Sequence, residues 1–175
     1  MKLSSLAKYK NIVIQCHDVP DADAIASGFA LQSYLRSLGT EASLVYGGHA
    51  EITKPNLTIM IEMLKIKIER IERLPADTDL LITVDCQRGA GNVQNFDLPD
   101  NAVTVVLDHH RPEITESEYI YILPNLASCS TLVWDLLNKE NYHMDVRVTT
   151  ALYYGLFTDT NGMAELRHPL DRDLA

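Results

Sequence analysis

The sequence lacks the features that mark membrane, secreted and repeat proteins. No apolar run reaches the roughly 18 to 20 residues that a membrane-spanning helix needs, and the opening segment MKLSSLAKYK lacks the apolar block of a secretory signal. We therefore expect a cytoplasmic protein with no membrane partner. No repeat, low-complexity tract or obvious linker interrupts the 175 residues, and a chain of this length forms one core more readily than two. The sequence predicts a single globular unit.

Cysteine is scarce, and its spacing excludes some uses. The three cysteines, Cys16, Cys86 and Cys129, form no CxxC pair. An odd number of separated thiols is typical of a reducing compartment rather than of a disulfide framework. We interpret all three as buried structural thiols.

Positive charge is also limited, with 15 Lys and Arg residues against 24 Asp and Glu residues and a net charge of −9. Contacts from Lys and Arg to phosphates supply most of the non-specific affinity for duplex DNA, so duplex DNA is disfavoured as a partner. A phosphorylated small molecule or a short oligonucleotide suits this composition better. The oligomeric state stays open, with a homodimer among the alternatives.

Hydrophobic patterning predicts an α/β fold. Short runs rich in Ile and Val are typical of strands buried in parallel sheets, and apolar spacings of three and four residues predict helices. The predicted strands are 11–16, 42–46, 66–71, 79–84, 102–107 and 119–123, and the predicted helices are 23–38, 56–64, 128–139 and 145–157. This alternation predicts a mostly parallel sheet flanked by helices on both faces.

Carboxylates and imidazoles follow three of the predicted strands, at the edge where open parallel sheets bind ligands. These residues are His17, Asp21 and Asp23 after 11–16, Asp85 after 79–84, and Asp108, His109 and His110 after 102–107. Closely spaced carboxylates repel one another unless cations neutralise them, and aspartate with some histidine suits manganese, magnesium or iron. The pattern therefore favours one or two divalent cations, and a bridged pair of them could promote hydrolysis of a phosphate ester or anhydride.

Other interpretations of these residues stay open. An aspartate at a strand end is more often a helix cap or turn former than a ligand, so the chain could be an ordinary doubly wound domain. A second alternative is a module that binds metal or nucleotide without catalysis. The tandem His109 and His110 after Asp108 argue against the first alternative, because packing gives no reason for them.

Four ordered motifs resemble those of the DHH phosphoesterases, which include RecJ-type exonucleases, phosphodiesterases of small oligonucleotides and cyclic dinucleotides, and manganese-dependent pyrophosphatases. The resemblance covers about residues 11–162. The motifs are 17–27 with its histidine and two aspartates, Asp85, the triplet 108–110, and Asp159 in YYGLFTDTNG. Many members have glycine where this chain has Ala22 and Ala26, but no ligand position is lost.

The resemblance implies a role for each residue. One cation would be held by His17, Asp21 and Asp85, and the other by Asp23, Asp85, His109 and Asp159. Both would be manganese, with magnesium or another divalent metal as the alternative. Asp108 would orient its histidine neighbour, His110 would face the substrate phosphate or leaving group, and Arg111 would contact phosphate unless it is a solvated surface residue.

The resemblance also implies a function and a domain boundary. Residues 1–165 would form the catalytic domain and 166–175 the start of a linker or a C-terminal tail, with the usual second, substrate-binding domain absent. The implied activity is two-metal hydrolysis of a phosphodiester in a short oligonucleotide, a cyclic dinucleotide or a nucleotide-like substrate. An inorganic pyrophosphatase and a non-catalytic regulatory module are the alternatives.

Overall fold

The computed structural model describes residues 2–113 and 117–175. Its strands are β1 (Ile12–Cys16), β2 (Ala42–Tyr46), β3 (Glu69–Arg70), β4 (Leu80–Val84), β5 (Val103–Asp108) and β6 (Tyr119–Ile122). Its helices are a 3-10 helix (Leu3–Lys8), α1 (Ala22–Ser37), α2 (Pro55–Leu64), α3 (Cys129–Lys139), α4 (Val146–Asp159) and α5 (Pro169–Leu174).

The six strands form one sheet in the order β3-β2-β1-β4-β5-β6. Every pairing between them is parallel, which confirms the predicted α/β class with a parallel sheet. Along the chain, β2 and then β3 are added on one side of β1. The later strands β4, β5 and β6 are added in turn on its other side. Ligands of such sheets bind at the carboxyl ends of the strands where the order reverses, here between β1 and β4.

One face of the sheet is covered by helices. Alternate strand residues such as Ile14, Ile82 and Leu107 are fully buried against a cluster to which every described helix contributes. Helix α1 is central to this layer, because it packs against both α3 and α4 as well as against β1 and β2. The helices are thereby held with their ends close to the edge of the sheet.

The other face has a different cover. Val13, Val45 and Leu81 pack against Leu74 and Phe96, which lie in the connections β3–β4 and β4–β5. Among the described residues, no member of this smaller cluster belongs to a helix. Helices were expected on both faces, and the difference arises because these two connections contain Pro and Gly residues that interrupt helical structure.

Two short helices at the ends of the chain lie outside the predicted elements. The 3-10 helix at Leu3–Lys8 is too short for an apolar periodicity to be read. Helix α5 begins at Pro169 after a capping box made by His168 and Asp171. No helix in the described part of the chain is long and apolar enough to cross a membrane.

Close packing of α1 on β2 depends on Gly28, where an added Cβ would collide with the side chain of Leu44. We expect Gly28→Ala to lower the free energy of unfolding by about 1 to 3 kcal/mol, as overpacked cores do. A urea titration followed by circular dichroism measures the change. The gain of about 0.5 to 1 kcal/mol in helix propensity acts in the opposite direction.

The double variant Gly28→Ala, Leu44→Ala is the control for this prediction. The added methyl group would occupy part of the space that Leu44 leaves, so the double variant should lose less stability than the two single variants lose together. Strict additivity would contradict the proposed collision.

Candidate metal centre

The start of α1 places the first group of polar side chains. His17 follows β1, and Asp21 is the N-cap of α1, where its side chain accepts hydrogen bonds of 3.0 Å from the backbone N–H groups of Asp23 and Ala24. Asp23 lies in the first helical turn and is fully buried. Helix capping therefore fixes two carboxylates of different exposure at one end of the sheet.

Asp85 follows β4 with a φ of 58°, in the left-handed region. This conformation is uncommon for a residue with a side chain and costs on the order of 1 to 3 kcal/mol, so it is typical of functional sites. Asp85 is buried, with 2% of the residue exposed. Its Oδ2 lies 3.7 Å from His17 Nε2, and its Oδ1 lies 3.3 Å from His109 Nε2.

The six predicted ligand side chains form two adjoining groups. In each group, one potential ligand atom per residue lies within 4.8 Å of the others. The groups are His17, Asp21 and Asp85, and Asp23, His109 and Asp159. A third group with the same spacing consists of Asp85, His109 and His110. The structure thus brings all six side chains together, with Asp85 in contact with both groups. Metal binding by these residues stays a prediction.

Two buried atoms at the junction of the groups fit a cation. Asp85 Oδ1 and His109 Nε2 have no hydrogen-bond partner among the described residues, although an unpaired buried polar atom costs about 1 to 3 kcal/mol. The other ring nitrogen of His109, Nδ1, lies 3.4 Å from the carbonyl oxygen of Leu126. Donation from Nδ1 to a carbonyl leaves Nε2 free to bind a metal, as in most histidine ligands.

The pKa values in this cluster favour positive charge close to its carboxylates. Burial raises the pKa of Asp85 to about 6, and burial together with repulsion from Asp85 and Asp159 raises the pKa of Asp23. Burial disfavours a charged His109, yet Asp159, Asp85 and Asp23 raise its pKa to about 11. Without a metal, a protonated His109 supplies part of the compensating charge; a divalent cation that takes the place of the proton on Nε2 would supply more.

Asp23 is held by the first turn of α3. Its Oδ2 accepts a hydrogen bond of 2.6 Å from the N–H of Cys129, and its Oδ1 accepts one of 2.8 Å from the N–H of Ser130. The positive end of the helix dipole adds to this stabilisation. Helix α4 approaches equally closely at Gly155, where a Cβ would collide with Ser130 Oγ and lie 3.0 Å from Asp23 Oδ1.

Helix capping does not explain the position of Asp159. It is the last residue of α4, and a carboxylate at a helix C-terminus is opposed by the helix dipole. Its Oδ2 instead lies 3.3 Å from His109 Nε2. The position of Asp159 therefore favours the ligand interpretation over that of a helix cap.

The predicted catalytic residues follow β5. Asp108 Oδ1 accepts a hydrogen bond from the backbone N–H of His109 at 2.8 Å and lies 2.8 Å from His110 Nδ1. Burial opposes ionisation of Asp108, but the hydrogen bonds from His110 and Gln87 lower its pKa below the usual value. The same bond to Asp108 raises the pKa of His110, whose side chain is 57% exposed. Arg111 is exposed beside it.

Gln87 is a buried residue of this site that sequence reasoning missed. It is 2% exposed, and its Nε2 donates to Asp108 Oδ2 at 2.6 Å and to the carbonyl oxygen of Arg111 at 3.0 Å. Its Oε1 accepts a hydrogen bond of 2.8 Å from the N–H of Glu113. Gln87 therefore joins the loop after β4 to the loop after β5. Its place two residues after Asp85 was the only signal in the sequence.

The three cysteines surround the site without entering it. Cys16, Cys86 and Cys129 are free and buried, as predicted. Burial raises the pKa of each thiol well above its ordinary value. The thiols are therefore neutral, and they donate to backbone carbonyl oxygens.

A parallel α/β sheet that brings carboxylates and imidazoles together at its switch point is the architecture of an α/β domain with a ligand site at the carboxyl ends of its strands. The family described as "DHH family, N-terminal domain" matches residues 11–156. The chain belongs to the DHH family.

Curated relatives match nearly the whole chain. An uncharacterized protein of Methanocaldococcus jannaschii is 27% identical over 177 residues, which cover 100% of this chain and 36% of the relative. The cyclic-di-AMP phosphodiesterase GdpP of Geobacillus thermodenitrificans is 28% identical over 169 residues, 89% of this chain and 25% of the relative. A probable manganese-dependent inorganic pyrophosphatase of Lactobacillus acidophilus is 25% identical over 149 residues, which cover 82% of this chain and 46% of the relative. The chain thus spans from a quarter to about half of these relatives.

A solved structure supports the fold. An exopolyphosphatase-related protein from Bacteroides fragilis superimposes with a TM-score of 0.67 at 19% sequence identity, covering 92% of this chain and 50% of the other. At this identity the likeness establishes the fold alone.

The hydrogen bonds of Gln87 predict a large cost for its removal. In Gln87→Leu, a buried oxygen of Asp108 and the N–H of Glu113 would each lose a partner, so we expect the free energy of unfolding to fall by about 2 to 3 kcal/mol. Urea titration measures the loss. Gln32→Leu is the matched control, because Gln32 is also buried but donates a single bond, of 2.8 Å, to the carbonyl oxygen of Ala42. A loss no greater than that of Gln32→Leu would contradict the role of Gln87 in joining the two loops.

Proposed function

We propose that this chain is the catalytic domain of a two-metal phosphoesterase. The observation that carries the proposal is the position of Asp85, whose two oxygens approach His17 in one ligand group and His109 in the other. Two cations that share such a carboxylate can activate a water molecule as hydroxide and stabilise the attacking and leaving oxygens of a phosphoryl group.

The two groups support the assignment of ligands. One cation would be held by His17, Asp21 and Asp85, and the second by Asp23, Asp85, His109 and Asp159. Oxygen with some nitrogen suits manganese, with magnesium as the alternative. The manganese-dependent relative supports the same choice.

His110 and Arg111 are proposed to contact the substrate phosphate. His110 Nδ1 is engaged by Asp108, so Nε2 is the atom left to bind a phosphoryl oxygen or to give a proton to the leaving group. The raised pKa of His110, caused by the bond to Asp108, favours its cationic form. Asp108 acts through His110, because Asp108 itself is buried.

We propose a phosphodiester of a short oligonucleotide, a cyclic dinucleotide or a nucleotide-like compound as the substrate. The similarity to a cyclic-di-AMP phosphodiesterase supports this class, and the net charge of −9 disfavours duplex DNA. A phosphoanhydride is the second candidate, because a relative of similar identity is a probable inorganic pyrophosphatase.

The test is hydrolysis of bis-p-nitrophenyl phosphate, cyclic di-AMP, linear diadenylate and pyrophosphate with and without Mn²⁺. We expect turnover of a phosphodiester that requires Mn²⁺. Asp85→Asn should reduce both turnover and Mn²⁺ affinity by at least about 100-fold, since the loss of groups that only support ligands costs 10- to 100-fold. His110→Ala should reduce turnover but leave Mn²⁺ affinity unchanged, because His110 is assigned to the substrate.

His143→Ala is the control, since His143 is exposed and lies outside both ligand groups. It should retain full activity. Hydrolysis that persists in Asp85→Asn would refute the proposal. Mn²⁺-dependent cleavage of pyrophosphate without cleavage of any diester would favour the second candidate.

A further inference from the structure

Asp171 is a buried carboxylate outside both ligand groups and beyond the family match at 11–156. It lies in α5 and is 0% exposed. Its Oδ2 accepts hydrogen bonds from the N–H groups of Arg167 at 3.1 Å and His168 at 2.7 Å, at the start of its own helix. Its Oδ1 accepts a third bond of 3.1 Å from the N–H of Ala127, a residue 44 positions earlier. Capping of α5 does not require this third bond.

The bond from Ala127 ties α5 to the 126–130 segment, which contacts two of the predicted ligands. The carbonyl oxygen of Leu126 lies 3.4 Å from Nδ1 of His109. The N–H groups of Cys129 and Ser130 donate to the two carboxylate oxygens of Asp23 at 2.6 and 2.8 Å. The segment therefore orients one imidazole and one carboxylate of the same ligand group.

We propose that Asp171 is a positioning residue for the metal centre. By holding the N–H of Ala127, it sets the Leu126 carbonyl and the first turn of α3, and through them the orientation of His109 and Asp23. The inference rests on the proposed function, because it takes these two residues as ligands. It also gives the C-terminal segment 166–175 a part in the site.

The burial of Asp171 supports this role. A carboxylate withdrawn from water is costly unless each oxygen is hydrogen-bonded, and helix caps do not need such burial. Asp145 caps α4 with bonds of 2.9 and 3.0 Å to the N–H groups of Arg147 and Val148, while its side chain stays 50% exposed. Asp171 differs from Asp145 in the additional bond to a distant segment.

The experiment compares Asp171→Ala with Asp145→Ala in the full chain. Mn²⁺ affinity is measured by isothermal titration calorimetry, and stability by urea unfolding. Both variants should unfold at lower urea concentration, because both lose a cap. Only Asp171→Ala should bind Mn²⁺ more weakly, by about 10- to 100-fold, the range found when a residue supporting a metal ligand is removed. Asp171→Asn keeps one acceptor oxygen, so it should bind Mn²⁺ more tightly than Asp171→Ala but more weakly than the wild type. It replaces Asp171→Ala as the test variant if Asp171→Ala does not fold.

Amide hydrogen exchange without metal is the second measurement. The N–H groups of Ala127, Cys129 and Ser130 should exchange at least about tenfold faster in Asp171→Ala than in Asp145→Ala, because the segment opens locally. Equal exchange, or Mn²⁺ binding as tight as in the wild type, would overturn the inference. If the wild type neither binds Mn²⁺ nor hydrolyses any substrate, the proposed function fails, while the exchange rates still decide whether Asp171 fixes the segment.

Discussion

Repulsion among buried carboxylates is the constraint on which the rest of this structure depends. Asp23 and Asp85 are buried close together, with Asp159 nearby. Backbone N–H groups from the start of α3 donate to Asp23, and imidazoles lie on both sides of Asp85. Asp85 Oδ1 and His109 Nε2 have no hydrogen-bond partner among the described residues. A parallel sheet suits this task, because its crossover helices bring several positive N-termini to one edge.

The sequence predicted the parts of the molecule that leave a local pattern. Runs of Ile and Val revealed the central strands, and their order placed the aspartates and histidines at one edge of the sheet. The loop cover of the second face was not predictable, because Leu74 and Phe96 stand in irregular segments without periodicity. Helix α5 is too short to show an amphipathic repeat.

The supporting residues escaped prediction for a different reason. Gln87 bonds to Asp108 across 21 positions and to Glu113 across 26, and Asp171 reaches Ala127 across 44. Such side-chain contacts depend on the three-dimensional fold alone, and a glutamine or aspartate at these positions resembles any polar residue of a loop. The predicted ligands carry the recognisable motif, whereas the residues proposed to orient them do not.

The β3–β4 part of the loop cover on the second face can change in length without changing the site. The β3–β4 connection carries Leu74 but no residue of either ligand group. Lengthening a flexible loop is cheap, since each doubling costs only about 0.6 kcal/mol in closure entropy. Related domains can therefore gain or lose residues in this connection, and so remodel that side of the molecule during evolution, without moving any predicted ligand.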